Sequence, residues 1–466
     1  MKVAQKIEVH SPYDLSLITS LDASSSKDIE EALEKAHRAF RQKQAVTPGQ
    51  RIAIFERVIA ELSSRAEEFA LQIAREGGKP LADARVEVTR AIDGLKLCIV
   101  TLRTQSGSVI PMNLNAASAG RLAFTQLEPI GVVVALSAFN HPLNLIVHQI
   151  APAIAVGCPV IVKPASATPL SCLALVKIFH QAGLPEALCQ VVLTQDHSLS
   201  EKLATDPRVA FLSFIGSAKV GWGLRAKLAP GTRCALEHGG VAPAIVAEDA
   251  DLELAIPKLI KGAFYHAGQV CVSVKRIFAH EIIASKLAER LAEVAKQLKV
   301  GDPTRAETEV GPLISVKEVT RVDAWVQEAI TQGAECLSGG KKNSDSCYAP
   351  TVLYNPPAQA KVSTQEIFGP VLCVYPYKNL EEAIAEANSL PYAFQASVFT
   401  RSIDMALQVY SQIDAASVML NDHTAFRVDW MPFAGFQHSG LGVGGIPYTM
   451  REMQLEKLLV LQSTKI

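Results

Sequence analysis

Between residues 131 and 228 the chain repeats one alternation, a short apolar run followed by a longer segment of helical periodicity. Strands are expected at 131–137, 159–163, 189–193 and 209–214, and helices at 141–156, 169–181, 196–204 and 220–228. That rhythm implies the α/β class, with a doubly wound parallel sheet that binds ligands beyond the carboxyl ends of its strands. Helical patterns dominate upstream, at 26–40 and 51–75 for example, and Gly77-Gly78-Lys79-Pro80 punctuates them. A second α/β segment runs from about Gly240 to about Gly435, with helices at 284–298 and 316–332. The apolar tail 456–462 reads as a terminal strand with no obvious partner, a feature that often adds to another subunit's sheet.

At 466 residues the chain exceeds one ordinary core, so two or three domains are expected. A net charge of −1 supplies no global basic field, and no basic-aromatic cluster appears, so nucleic acid is not an expected partner. The nine cysteines are scattered without a Cys-x-x-Cys pair, which argues against a disulfide framework or structural zinc; no metal is expected. Such cysteine usage fits a reducing cytoplasm. The first residues lack a signal-peptide pattern, and the apolar stretch 145–162 is broken by His148, Gln149, Pro152 and Pro159, so no membrane association is expected.

One cysteine stands in a setting suited to chemistry: Cys271, in Gly268-Gln269-Val270-Cys271. Glu237 lies 34 residues upstream, in Leu236-Glu237-His238-Gly239-Gly240. A thiol nucleophile and a carboxylate base suit covalent catalysis followed by hydrolysis. Gly216-Ser217-Ala218-Lys219-Val220-Gly221 follows an expected strand and opens a helix, where glycine permits close approach and the helix N-terminus attracts phosphate. Lys163-Pro164-Ala165-Ser166 ends another strand, where a lysine can hold ribose hydroxyls or phosphate. Asn140 follows the strand at 131–137 and offers an amide to an oxyanion, or caps a helix. In Glu366-Ile367-Phe368-Gly369-Pro370 a carboxylate and a ring accompany a tight turn.

In this order, and with Cys271 and Glu366 95 residues apart, these segments resemble the aldehyde dehydrogenase superfamily from about Ser11 to Leu461. The resemblance implies a Rossmann-type cofactor domain (1–110 and 130–239), an α/β catalytic domain (240–436) and a small β oligomerisation element (111–129 and 447–466). Homodimers or homotetramers are then expected. Cys271 would attack a small-molecule aldehyde to give a thiohemiacetal, and hydride transfer to NAD or NADP would leave a thioester. Asn140 and the Cys271 N–H would stabilise the oxyanion, and Glu237 would activate water. Lys163, Ser166, Gly216, Ser217, Gly221 and Glu366 would hold the dinucleotide, with Phe368 near the nicotinamide.

Ser166 replaces a glutamate common in NAD-preferring members, which leaves room for a 2′-phosphate, so NADP is expected to be accepted. His238 stands where leucine is common, either tuning Glu237 or packing. His141, Asn144 and His148 fall at one helical spacing and give the substrate tunnel a polar face. Arg427 is the first candidate to clamp an anionic group, ahead of Arg90, Lys96 and Arg121. The expected substrate is a small polar or anionic aldehyde, in the manner of lactaldehyde, semialdehyde or phosphonoacetaldehyde dehydrogenases. CoA-acylating oxidation, oxidation of apolar aldehydes and a non-catalytic structural role are the alternatives; retention of Glu237 favours water over CoA.

Overall fold

The computed structural model describes residues 6–43 and 46–465. The alternation builds a six-stranded sheet ordered Gly440–Leu441, Arg233–Glu237, Val209–Ile215, Val132–Leu136, Val160–Lys163 and Cys189–Val191. All neighbours are parallel except Gly440–Leu441, which pairs antiparallel to Arg233–Glu237. Both faces of the strands are covered: Val133, Ala135, Val160 and Val162 join one hydrophobic cluster, and Val132, Val134, Leu136 and Ile161 join another. This period of two, with both faces buried, explains why these strands read as unbroken apolar runs. The chain starts in the centre at Val132–Leu136, moves out through Val160–Lys163 and Cys189–Val191, and then returns to the other side with Val209–Ile215. Strand direction of travel thus reverses between Val132–Leu136 and Val209–Ile215, which opens a crevice at their carboxyl ends.

A second, seven-stranded sheet is ordered Glu335–Ser338, Thr351–Tyr354, Val371–Tyr377, Arg276–His280, Pro243–Val246, Gln395–Phe399 and Ser417–Leu420. It is parallel apart from Glu335–Ser338. Helices Glu281–Gln297 and Val316–Thr331 pack within its hydrophobic cluster. The terminal strand starts at Gln454, earlier than expected, and its partner lies in the same chain. Gln454–Gln462 pairs antiparallel along the whole of Arg121–Pro129, and Val109–Ile110 completes a three-stranded sheet. Leu455, Leu458, Leu459, Val460 and Leu461 remain exposed on it.

Two expected helices change shape. The segment expected as one helix at 51–75 divides at Arg65 into Pro48–Ser64 and Ala66–Gly77. The break lets Phe55, Val58 and Leu62 on one piece and Phe69, Ala70 and Ile73 on the other face the same core. The helix expected from 141 begins only at Asn144, so His141 precedes it.

That helix, Asn144–Val156, has no side-chain cap of its own, and neither has Leu170–Gln181. Their unpaired first N–H groups need partners. Two buried carboxylates supplied by the preceding helices meet the need. Glu76 accepts from the backbone N–H groups of Leu170 (2.7 Å) and Ser171 (2.8 Å). Glu87 accepts from those of Leu143 (2.9 Å) and Asn144 (3.0 Å), and its other oxygen pairs with the fully buried Lys79. Removing one partner from a buried ion pair leaves an uncompensated charge. Glu87→Ala should therefore cost about 3–5 kcal/mol of stability, read as a lowered denaturant midpoint, and an unchanged midpoint would contradict the assignment.

Candidate active site

The crevice of the six-stranded sheet opens into a cavity of about 810 Å³ between the two large sheets. Asn140, Lys163, Gly216, Ser217 and Glu237 line it from the carboxyl ends of the first sheet's strands. Cys271, Glu366, Phe368 and Arg427 face them from the second unit. Phe368 meets Phe139 edge-on at 5.9 Å. Three expected residues stand behind the lining rather than in it. The Ser166 hydroxyl donates to the Thr194 carbonyl (3.1 Å), Gly221 lies beneath the His238 ring, and His148 is buried behind Arg427.

The loop leading to the nucleophile is strained. His266, Ala267 and Gly268 take φ of 47°, 53° and 68°, a left-handed run that side chains with a Cβ resist. Contacts on every side hold it. Asp83 accepts the His266 N–H at 3.3 Å, and a Cβ on Gly268 would lie 2.2 Å from the Gly369 carbonyl. The Gln269 side chain donates to the Pro312 carbonyl (3.2 Å) and accepts the Ile314 N–H (2.9 Å). Beyond Cys271, Thr424 donates to the Val272 carbonyl at 2.6 Å. The Asn140 amide donates to the Gln269 carbonyl at 2.9 Å, which ties it to the nucleophile loop and leaves its second N–H for another acceptor.

Burial, with the Glu237 and Glu366 carboxylates, pushes the Cys271 thiol up to about 12, and Arg427 opposes the shift. At neutral pH the resting group is a thiol that must surrender its proton to react. Burial also raises the proton affinity of Glu237, again against Arg427, which suits a base. Two glycines make room for the carboxylates: a Cβ on Gly444 would lie 2.4 Å from Glu237 Oε1, and one on Gly239 would lie 1.9 Å from Glu366 Oε1.

The inner wall holds a cluster that sequence reasoning only partly reached. Arg90 grips Asp429 with a fork, Nε to Oδ2 at 3.1 Å and Nη2 to Oδ1 at 2.6 Å. His148 Nε2 lies 2.7 Å from Asp429 Oδ1, and Arg427 Nη2 lies 3.3 Å from His148 Nδ1. A guanidinium only donates, so Nδ1 accepts, Nε2 carries the proton and the imidazole is neutral. Burial and Arg427 push its pKa down to about 4, consistent with that form. Asp429 is the only carboxylate in this group, and the Arg90 fork occupies it. Arg427 Nε stands 4.0 Å away and finds no hydrogen-bond partner among the described residues, although the side chain is only 9% exposed. Its guanidinium stacks 3.5 Å from the Phe433 ring centroid. Counted over Arg90, Arg427, His148 and Asp429, the cluster carries one net positive charge on the cavity wall, and the Glu237 carboxylate is the strongest further negative influence on Arg427. His141, Asn144 and Tyr265 complete that end.

Lys96 and Arg121 do not join this cluster. Lys96 pairs with Asp93 on an exposed helix face, and Arg121 bonds the Ala117 carbonyl beside the three-stranded sheet. Asp429 and Tyr265 were missed in the sequence. The proximity of Asp429 to Arg427 was the one available signal for it, and Tyr265 gave none.

The chain matches the aldehyde dehydrogenase family over residues 1–458. It is 36% identical to 3-sulfolactaldehyde dehydrogenase of Priestia aryabhattai over 458 residues, covering 98% of this chain and 95% of the relative. It is 37% identical to lactaldehyde dehydrogenase of Methanocaldococcus jannaschii, with 98% and 97% covered. The solved structure of glyceraldehyde-3-phosphate dehydrogenase GapN from the same organism, complexed with NADP, superposes with a TM-score of 0.94 at 36% identity, covering 99% of this chain and all of that one. The chain belongs to the aldehyde dehydrogenase family and is an oxidoreductase.

The Arg427 charge favours the Cys271 thiolate, so its removal should raise the thiol pKa further and slow the thiol at any given pH. Arg427→Gln is expected to lower the rate of Cys271 alkylation by iodoacetamide about tenfold at pH 8 and to move its pH profile upward. An unshifted profile would contradict this coupling.

Proposed function

We propose that this aldehyde dehydrogenase oxidises a small anionic aldehyde to its carboxylic acid with NAD or NADP, through a thioester on Cys271. The net positive charge of the Arg427 cluster on the inner cavity wall carries the reading, because it supplies a counter-ion for a carboxylate, sulfonate or phosphate at the far end of the substrate. The names of relatives that act on 3-sulfolactaldehyde and on glyceraldehyde 3-phosphate support an anionic tail, and that of the lactaldehyde relative supports a short polar chain.

The aldehyde carbon accepts the Cys271 sulfur, and Glu237 takes the thiol proton. The oxyanion of the thiohemiacetal is held by the free Asn140 N–H and the Cys271 backbone N–H. A dinucleotide held by Lys163, the Gly216–Ser217 turn and Glu366 would supply the hydride acceptor that takes this adduct to a thioester. Glu237 passes the thiol proton to solvent and then deprotonates water, which attacks the thioester carbon; the C–S bond breaks, Glu237 returns its proton to the Cys271 thiolate and the acid leaves.

The residues present fit a dinucleotide. The Gly216–Ser217 turn approaches closely at a helix N-terminus, and among the described residues Lys163 bonds only the Pro164 carbonyl (3.3 Å). Glu366 accepts the Gly240 N–H (3.2 Å) and has oxygen lone pairs left for ribose hydroxyls. Ser166 brings no negative charge to that end, which favours tolerance of a 2′-phosphate, and the NADP complex of the GapN relative supports it. In this reading residues 1–110 and 130–239 form the cofactor domain, 240–436 the catalytic domain, and 111–129 with 447–466 the element through which dimers or tetramers form. No helix among the described residues is long and apolar enough to cross a membrane. Nine free cysteines support a place in the reducing cytoplasm.

Initial rates at the reduced-nicotinamide absorbance test the substrate class. The panel is succinic semialdehyde, 3-sulfolactaldehyde, phosphonoacetaldehyde, glyceraldehyde 3-phosphate, lactaldehyde and hexanal, each with NAD and with NADP. An anionic aldehyde is expected to give the highest kcat/KM, and Arg427→Met to lower it roughly a hundredfold more than it lowers that of lactaldehyde. The ratio separates the anion contact from the effect of Arg427 on the thiol. Equal losses, or a preference for hexanal, would overturn the anion reading. Gly444→Ala should displace the Glu237 carboxylate and lower steady-state kcat ten- to a hundredfold, on the order expected for a 1 Å misplacement. An unchanged kcat would contradict the role given to that carboxylate.

A further inference from the structure

His238 follows the Glu237 base directly, at a position where the family resemblance leads one to expect leucine. Its ring is 2% exposed and meets Phe214 and Trp222 edge-on, with centroids 5.7 and 5.8 Å away. It fills the space where a Cβ on residue 221 would stand, 2.0 Å from His238 Cε1, so the bare Gly221 is the clearance that admits the imidazole. His238 Nδ1 lies 2.9 Å from the Gly216 carbonyl oxygen. A carbonyl only accepts, so Nδ1 carries a proton. Among the described residues Nε2 has no hydrogen-bond partner, and a second proton there would be a buried, unsatisfied donor. The ring is thus the neutral Nδ1–H tautomer.

Gly216 is held at both ends of its backbone. Its N–H donates to the Glu237 carbonyl at 3.1 Å, and its carbonyl accepts from His238. The peptide between Gly216 and Ser217 is trans, so its carbonyl and its N–H point in opposite directions. With the carbonyl drawn back to the imidazole, the Ser217 N–H is turned to the other side. Ser217 is also the N-cap of Ala218–Arg225 and spends no side-chain hydrogen bond on that helix.

We propose that His238 is a positioning residue for the dinucleotide: by holding the Gly216 carbonyl it keeps the Gly216–Ser217 peptide from rotating and presents the Ser217 N–H to a phosphate. Without that anchor the carbonyl dipole is free to swing toward the phosphate and repel it. The proposal rests on the reading of this turn as part of the cofactor site.

Calorimetric titration of the full chain with NAD and with NADP tests it, for the unaltered protein, His238→Leu, His238→Gln and His238→Asn. Asparagine carries its N–H donor at the same distance from Cβ as Nδ1, whereas glutamine carries it one bond further out. Loss of one hydrogen bond is expected to raise Kd roughly five- to tenfold in the leucine and glutamine variants, with kcat at saturating dinucleotide within twofold of the unaltered enzyme. The asparagine variant is expected to restore binding. Either the leucine or the glutamine variant suffices if the other fails to fold. Unchanged Kd in a folded leucine or glutamine variant, or a Kd raised equally in the asparagine variant, would overturn the role of His238 alone. Failure of the unaltered chain to bind either dinucleotide would overturn the cofactor reading and this proposal with it.

Discussion

Asp429 holds the inner end of the cavity together. One carboxylate receives a fork from Arg90, 339 residues away in the chain, and a hydrogen bond from His148, which in turn accepts from Arg427. The contacts join Leu81–Thr104, Asn144–Val156 and the 421–435 segment at one point. At 4% exposure the carboxylate is far from water, and its arginine and histidine partners hold its pKa well below the usual carboxylate range. Because the Arg90 fork occupies it, Arg427 is left with charge to spare. That charge reaches two places at once, the Cys271–Glu237 pair and the space where a substrate tail would lie.

The same economy of buried charge positions the rest of the site. Glu87 caps the helix that starts at Asn144, a few residues beyond Asn140, and is itself balanced by Lys79. Glu76 does the same for Leu170–Gln181, which follows the Lys163 strand. The N-terminal helices are thus more than a cover for the sheet, since their carboxylates set where the neighbouring helices begin. The strained run His266–Gly268 depends on such support, because three consecutive left-handed residues persist only when the surroundings over-determine them.

Local pattern made much of this legible in the sequence. Val132–Leu136 and Val160–Lys163 are apolar on both faces because both faces are buried, and that signal survives without any knowledge of the fold. Asn140, Lys163, Gly216, Glu237, Cys271, Glu366 and Phe368 stand out by motif and order, and they line one cavity. What escaped depends on partners remote in the chain. Nothing near Asp429 announces Arg90, and nothing near Leu143 announces Glu87. His148 shares the helical spacing of Asn144 but turns behind Arg427, because Asp429 draws it there. His141 falls outside the helix altogether, since the Glu87 cap fixes the start at Asn144. The Ser166 hydroxyl turns to the Thr194 carbonyl, a partner 28 residues away that its position after the strand does not announce.

We propose above all that Cys271 carries the substrate as a thioester that Glu237 releases. Intact-mass analysis of Glu237→Gln, mixed with an anionic aldehyde and a dinucleotide, tests it most directly. The expected result, reached more slowly because glutamine cannot take the thiol proton either, is one equivalent of reduced nicotinamide per active chain and a stable acyl adduct that peptide mapping places on Cys271. Reduced nicotinamide formed at the unaltered rate over many turnovers, or an adduct on any other residue, would contradict the account.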